Sequence, residues 1–222
     1  MAWALPFLIV GGVLLPLLAW SSYRYLATDS AAPTSLPSLE AMAVQTIAVQ
    51  AVVMALAWLA LARIELPMSW ASDLDAASLL ATAVVVLAGL KMAQLEARRP
   101  LGPNETLRRK LRSAGLTKLW TAAICAAAIG EEYAYRGVLF LLMDQSLPPS
   151  LAAFVSALAF GLAHFGQGWR GAIMSTVFGL GLQAIVILSG GLFLAMLAHL
   201  LYDLGVVWLG RRLALTDHEA AV

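Results

Sequence analysis

Seven stretches of this 222-residue sequence are mostly apolar over about the length of a membrane-spanning helix. Such a helix needs about 20 mostly apolar residues to cross roughly 30 Å of hydrocarbon. The composition agrees, because 61% of the residues are hydrophobic and 12% charged, against about 45–50% and about 25% in ordinary soluble domains. We expect an all-α, polytopic membrane helix bundle of about seven to eight helices, with runs at 3–22, 41–62, 76–95, 119–143, 150–166, 171–188 and 191–210.

The runs leave no room for a soluble domain, so residues 1–222 are expected to form a single integral membrane domain. The run at 150–166 is short. The first run has no basic segment before it, which favours a retained first span over a cleaved signal. Residues 1–95 carry almost no ionisable groups within their runs and are interpreted as scaffold helices.

The loop around residues 96–118 is the most basic part of the chain. By the positive-inside rule this loop is cytoplasmic, which predicts an outside N-terminus and an inside C-terminus and leaves only Arg63 outside. Asn104 is predicted to be the N-cap of a short helix that ends before Gly115. Binding to anionic lipid at this helix and a simple topology-setting role both fit. The basic residues of 91–118 are Lys91, Arg98, Arg99, Arg108, Arg109, Lys110, Arg112 and Lys118.

Ionisable side chains inside the apolar runs cluster in the C-terminal half. A charge at mid-bilayer costs on the order of 2.5–3.5 kcal/mol, so each such group needs a partner or a function. Because these groups come from three separate runs, we expect them to meet in one polar cavity within residues 119–210. They are Glu131, Glu132, Arg136, His164, His199 and Asp203.

The adjacent glutamates have different surroundings on a helix. Glu132 and Arg136 are four residues apart and can pair on one face. Glu131 is turned by about 100° from Glu132 and needs a partner from another helix. Such a carboxylate suits a general base that takes a proton from water and later returns it. The alternative is that both glutamates only anchor neighbouring helices.

A metal site is a second possibility. Glu131, His164 and His199 could ligate Zn²⁺, which would acidify a bound water. However, the sequence has no H-E-x-x-H motif, and the single Cys125 excludes a cysteine-based zinc cluster or an internal disulfide. We therefore favour a site with no metal or other cofactor.

Three short motifs resemble those of the CPBP family of intramembrane proteases, which includes the CAAX prenyl endopeptidases and bacterial Abi-type proteins. EEYAYR (131–136) is similar to its E-E-x-x-x-R motif, FGLAH (160–164) to F-x-x-x-H, and HLLYD (199–203) to H-x-x-x-N/D. The resemblance covers roughly residues 125–207. It implies a glutamate-dependent endopeptidase in a membrane, here expected to be a bacterial inner membrane, with residues 119–210 as its catalytic core.

The resemblance also implies roles for individual residues. Glu131 would activate the water, beside a Glu132 braced by Arg136. His164 and His199 would orient the water or stabilise the oxyanion, and Phe160 would support the site. Asp203 replaces the Asn common in prenyl-processing members, and since an ionised Asp cannot donate a hydrogen bond, we expect Asp203 to hold His199 protonated.

The implied partner is a membrane-anchored peptide or protein substrate. Nucleic acid is not expected as a partner, because the formal net charge is only +1. The main alternative function is a transporter or proton-coupled channel, which would be expected to show internal repeats or polar residues in both halves. A non-catalytic immunity or scaffold member of the same family is the other alternative.

Overall fold

The computed structural model describes residues 4–28, 37–62, 68–97, 110 and 116–219. All regular structure in these residues is helical, as the apolar runs predict. A π-helical turn joins α1 to α2, a π-helical segment (Glu132–Leu139) joins α5 to α6, and a 3₁₀ turn (Phe165–Gln167) joins α7 to α8. The helices are α1 (Leu5–Ile9), α2 (Leu15–Thr28), α3 (Leu39–Leu61), α4 (Ala76–Ala97), α5 (Lys118–Glu131), α6 (Phe140–Asp144), α7 (Pro149–Ala163), α8 (Trp169–Ser189) and α9 (Phe193–Glu219).

Within the described residues, five helical stretches are long and apolar enough to span a membrane. Many large apolar side chains on their outer faces are exposed, as lipid-facing residues are; on α4, Leu80 and Leu87 are each 66% exposed. The chain is an integral, multi-pass membrane protein. The five stretches are Leu5–Tyr25, Leu39–Leu61, Ala76–Ala97, Trp169–Ser189 and Phe193–Arg212.

The two other expected runs are less regular. The run at 119–143 forms one helical rod, residues 118–144, built from α5, the π-helical segment and α6. The run at 150–166 forms α7, whose 15 residues extend only about 22 Å at 1.5 Å per residue. The rod is irregular and α7 is short, and both elements carry predicted site residues.

Local side-chain chemistry sets where several helices begin. The hydroxyl of Ser38 accepts a hydrogen bond from the backbone of Ala41 at the start of α3, and Thr117 caps α5 in the same way. The Asp75 carboxylate accepts a 2.7 Å bond from the Ser78 backbone N–H at the start of α4. That bond lowers the pKa of Asp75, so its cap stabilises α4 at neutral pH and is lost on acidification as the carboxylate is protonated.

Helices α7 and α8 approach each other closely at Gly161. A Cβ at this position would overlap the Thr176 hydroxyl and lie 2.5 Å from the backbone oxygen of Ala172. Small residues at such contacts let the backbones of membrane helices pack closely. This contact fixes the end of α7 and therefore the position of His164, three residues later.

The segment before α4 packs against the loop that precedes α9. The backbone N–H groups of Leu192 and Phe193 donate to the carbonyls of Ser69 and Trp70. The Trp70 ring also stacks on Tyr133, with the ring centroids 5.2 Å apart. These contacts fix the first turn of α9. His199 lies on the same helix, six residues after Phe193.

Most of the basic loop 96–118, including the short helix predicted after Asn104, lies outside the described residues. Arg63, in the loop before α4, lies outside them too. Within the part that is described, Lys110 donates a hydrogen bond to the carbonyl of Pro37. This bond connects the basic loop to the start of α3.

Candidate active site

The adjacent glutamates lie at the centre of the helical rod 118–144. Glu131 is the last residue of α5, and Glu132 begins the π-helical segment. Glu131 is 13 residues from each end of the rod. This separation corresponds to about 20 Å at 1.5 Å per residue. Since π-helical turns frequently occur at functional sites, this irregularity marks the same position as the glutamates.

Glu132 lies at the centre of a buried cluster of charged and polar groups. Its Oε1 atom is 3.1 Å from Nη1 of Arg136, the pairing that the i, i+4 spacing predicts, and 2.7 Å from Nδ1 of His199. Glu132, Arg136 and His199 are only 0%, 1% and 4% exposed. The Arg136 guanidinium also lies 4.0 Å from the centre of the Phe160 ring. Because unpaired buried charges are strongly destabilising, this cluster must stay intact for the fold.

Glu131 faces two imidazole rings from different helices. Its Oε2 atom is 3.8 Å from Nε2 of His164 and 3.8 Å from Nε2 of His199. These separations exceed a direct hydrogen bond of about 2.7–3.2 Å, but one water bonded to both groups spans them readily. Glu131 and His164 are 16% and 23% exposed, so this part of the site is more open than the Glu132 cluster. The arrangement fits a water held between a carboxylate and two rings.

The orientation of each ring follows from its other nitrogen. Nδ1 of His164 lies 2.9 Å from the carbonyl oxygen of Phe160, which can only accept, so Nδ1 carries the proton and Nε2 faces Glu131. In His199, Nδ1 is held by Glu132, and Nε2 is again the atom nearest Glu131. A fixed second nitrogen orients an imidazole for its task. Both rings are thus positioned with the same atom towards one point.

Phe160 lies at the junction of these groups. Its ring is 4.4 Å from the His164 ring and 5.9 Å from the His199 ring, measured between centroids. Phe178 packs on His199 from α8 at 5.8 Å, a contact that the sequence analysis missed. Both histidines are therefore held by aromatic packing as well as by hydrogen bonds.

Asp203 lies within ion-pair distance of His199, the residue that we expect it to hold protonated. Its Oδ2 atom is 3.8 Å from Nε2 of His199, too far for a hydrogen bond. Glu132 instead forms the short bond to this ring, through the opposite nitrogen. The physical reason is that Glu132 is buried against the ring, whereas Asp203 lies one turn further along α9 and is 27% exposed.

The partner that Glu131 requires comes from α3, in the half of the chain interpreted as scaffold. Nε2 of Gln50 donates a 2.9 Å hydrogen bond to Oε1 of Glu131. Gln50 was not among the predicted site residues. The available signal was an amide side chain within the apolar run 41–62, where each polar group needs a hydrogen-bond partner.

Among the described residues, no group of three His, Cys, Asp or Glu side chains is placed closely enough to hold a metal ion as they stand. Among the three proposed zinc ligands, Glu131 has its Oε1 bonded to Gln50. What the site does offer is a carboxylate base and two oriented imidazoles around one point. Those groups can deprotonate a water and stabilise a developing oxyanion.

Comparison with known proteins agrees with the motifs. Residues 113–205 match a family model described as type II CAAX prenyl endopeptidase Rce1-like. No curated protein and no solved structure matches the chain significantly. The matched segment contains all three motifs and each predicted site residue, and Gln50 lies outside it. Over residues 113–205 the chain is therefore similar to CAAX-type endopeptidases, and this similarity supports the CPBP resemblance of the three motifs.

Proposed function

We propose that this protein hydrolyses a peptide bond in a membrane-anchored peptide or protein with a water activated by Glu131. The observation that carries the proposal is the position of Glu131 Oε2, 3.8 Å from Nε2 of both His164 and His199. A water held there would contact the base and both rings at once. Among the described residues, no comparable observation favours the transporter alternative.

The reaction can be written with the side chains present. Glu131 takes a proton from the water while the oxygen of that water attacks the substrate carbonyl. Glu131 later gives the proton to the leaving amine. His164 and His199 hold the water and donate to the oxyanion when protonated. Glu132 and Arg136 act indirectly, by fixing the His199 ring through the 2.7 Å bond to Nδ1. Asp203 borders the open side of the site.

This mechanism uses no metal or other cofactor. One carboxylate oxygen of Glu131 is bonded to Gln50 and the other faces two imidazoles, which is the set of groups that general-base attack by water requires. Were Zn²⁺ bound, Glu131, His164 and His199 would be the residues to hold it, and it would acidify a water. The glutamate-type and metal-dependent mechanisms differ in a way that can be measured.

The test is a cleavage assay on the purified protein in lipid bicelles. The probe is a quenched fluorescent peptide that ends in a farnesylated CAAX sequence, chosen because the matching family is described as CAAX prenyl endopeptidases. We expect cleavage that persists after chelation, in protein with far less than one zinc per chain. Absence of cleavage would contradict the proposed activity on this substrate class. Stoichiometric zinc whose removal abolishes cleavage would contradict the metal-free mechanism.

We also propose that the protein lies in a bacterial inner membrane with its N-terminus outside and its C-terminus inside. Supporting this orientation, alternating spans place Arg24, Lys91, Lys118 and Arg170 at the same end of the bundle, with Arg211 and Arg212. Positive charge is enriched on the cytoplasmic side of membrane proteins. Anionic lipid headgroups are the proposed partners of this basic end.

A further inference from the structure

Gln50 is a buried polar residue in the middle of an apolar helix. It is 7% exposed and bonds to Glu131 across 81 positions of sequence. A second glutamine on the same helix, Gln45, is exposed. The two residues therefore have the same side chain and lie on the same helix, but Gln50 is the one that contacts Glu131.

The direction of this bond is determined by chemistry. An amide NH₂ donates and a carboxylate accepts, so the opposite amide orientation would place two oxygen atoms against each other. The observed orientation leaves Oε1 of Gln50 buried with no hydrogen-bond partner among the described residues. Leaving a buried acceptor unsatisfied costs stability. The hydrogen bond to Glu131 is therefore formed at the expense of the unsatisfied amide oxygen of Gln50.

The residue next to Glu131 makes room for this amide. A Cβ at position 130 would lie 2.6 Å from Oε1 of Gln50 and 3.3 Å from its Cβ and Cδ atoms. Glycine therefore allows α3 and α5 to approach closely enough for the bond to form. Since the side-chain amide is the flexible end of Gln50, an alanine at position 130 would displace it rather than unfold the helix pair.

We infer that Gln50 is a positioning residue for the reaction, an inference that rests on the proposed function. By holding Oε1 of Glu131, it leaves Oε2 directed between His164 and His199. Removing the hydrogen bond frees the carboxylate to rotate, so the base spends less time in the productive orientation. A helix-to-helix hydrogen bond with no such role would contribute to stability alone.

The test compares Gln50→Met with Gln45→Met in the farnesylated-peptide assay, measuring kcat, KM and Tm. Misplacing a reacting group by about 1 Å can cost about 10²-fold in rate, so we expect Gln50→Met to lower kcat by about 10- to 100-fold. KM should stay close to the wild-type value, because Gln50 is buried and acts through its hydrogen bond to Glu131. Gln45→Met should match the wild type in all three quantities. An unchanged kcat in Gln50→Met, or a rise in KM alone, would overturn the inference.

Gly130→Ala tests the same claim without removing the amide, and it decides the question if Gln50→Met does not fold. We expect a smaller loss of kcat with unchanged KM, and wild-type kcat would contradict the inference. Gly12→Ala is the matched control, since nothing lies within 4 Å of a Cβ at that position. The Glu131→Gln variant distinguishes a failure of the positioning role of Gln50 from a failure of the proposed function. If it is inactive while both Gln50→Met and Gly130→Ala are fully active, only the positioning role fails; if Glu131→Gln is active, the proposed function fails.

Discussion

Glu131→Gln is expected to lower kcat for peptide cleavage by about 10²–10⁴-fold, the range that a positioned general base contributes. The substituted amide has the shape of the carboxylate but cannot take a proton from water. Its stability should stay near that of the wild type, because Glu131 is partly exposed and its side-chain oxygen can still accept from Gln50. The measurements are kcat in bicelles and Tm of the same preparation.

Glu40→Gln is the control for this variant, because Glu40 is an exposed glutamate in the first turn of α3. It should cleave at the wild-type rate. Full activity of Glu131→Gln would end the assignment of Glu131 as the base.

Arg136→Ala is expected to lower the free energy of unfolding by about 3–5 kcal/mol, the usual cost of removing one partner from a buried ion pair. Among the described residues it leaves the fully buried Glu132 with His199 as its remaining side-chain partner, and it removes the cation from the face of Phe160. Reversible unfolding in mixed micelles measures this change. Loss of activity should follow the loss of folded protein.

Arg170→Ala provides the comparison, since Arg170 is an exposed arginine at the start of α8. It should have nearly wild-type stability. Glu132→Gln should also be destabilised, for the same reason as Arg136→Ala. If Glu131→Gln, Glu132→Gln and Arg136→Ala all lose activity equally at wild-type stability, our division between a base and its structural neighbours is wrong.

The features predictable from sequence are those that depend on local geometry. Membrane spans require only about 20 apolar residues in succession, so hydropathy located the helices. The Glu132 and Arg136 pair follows from one helical turn of separation. The three motifs lie within the segment that matches the family model.

Contacts between distant segments could not be predicted in this way. Glu132 and His199 are 67 positions apart, and Gln50 and Glu131 are 81 apart. Helical periodicity shows which face a residue occupies but not which helix packs against that face. For this reason the sequence analysis paired His199 with Asp203, one turn away, and missed the shorter contact of His199 with Glu132.

The central claim is that Glu131 activates water and does not itself attack the peptide. Single-turnover cleavage in ¹⁸O-labelled water, followed by mass spectrometry of peptide and enzyme, tests it most directly. Our account predicts one ¹⁸O atom in the new carboxylate of the product and none in Glu131. A product without ¹⁸O, together with label in the Glu131 carboxyl group, would contradict it.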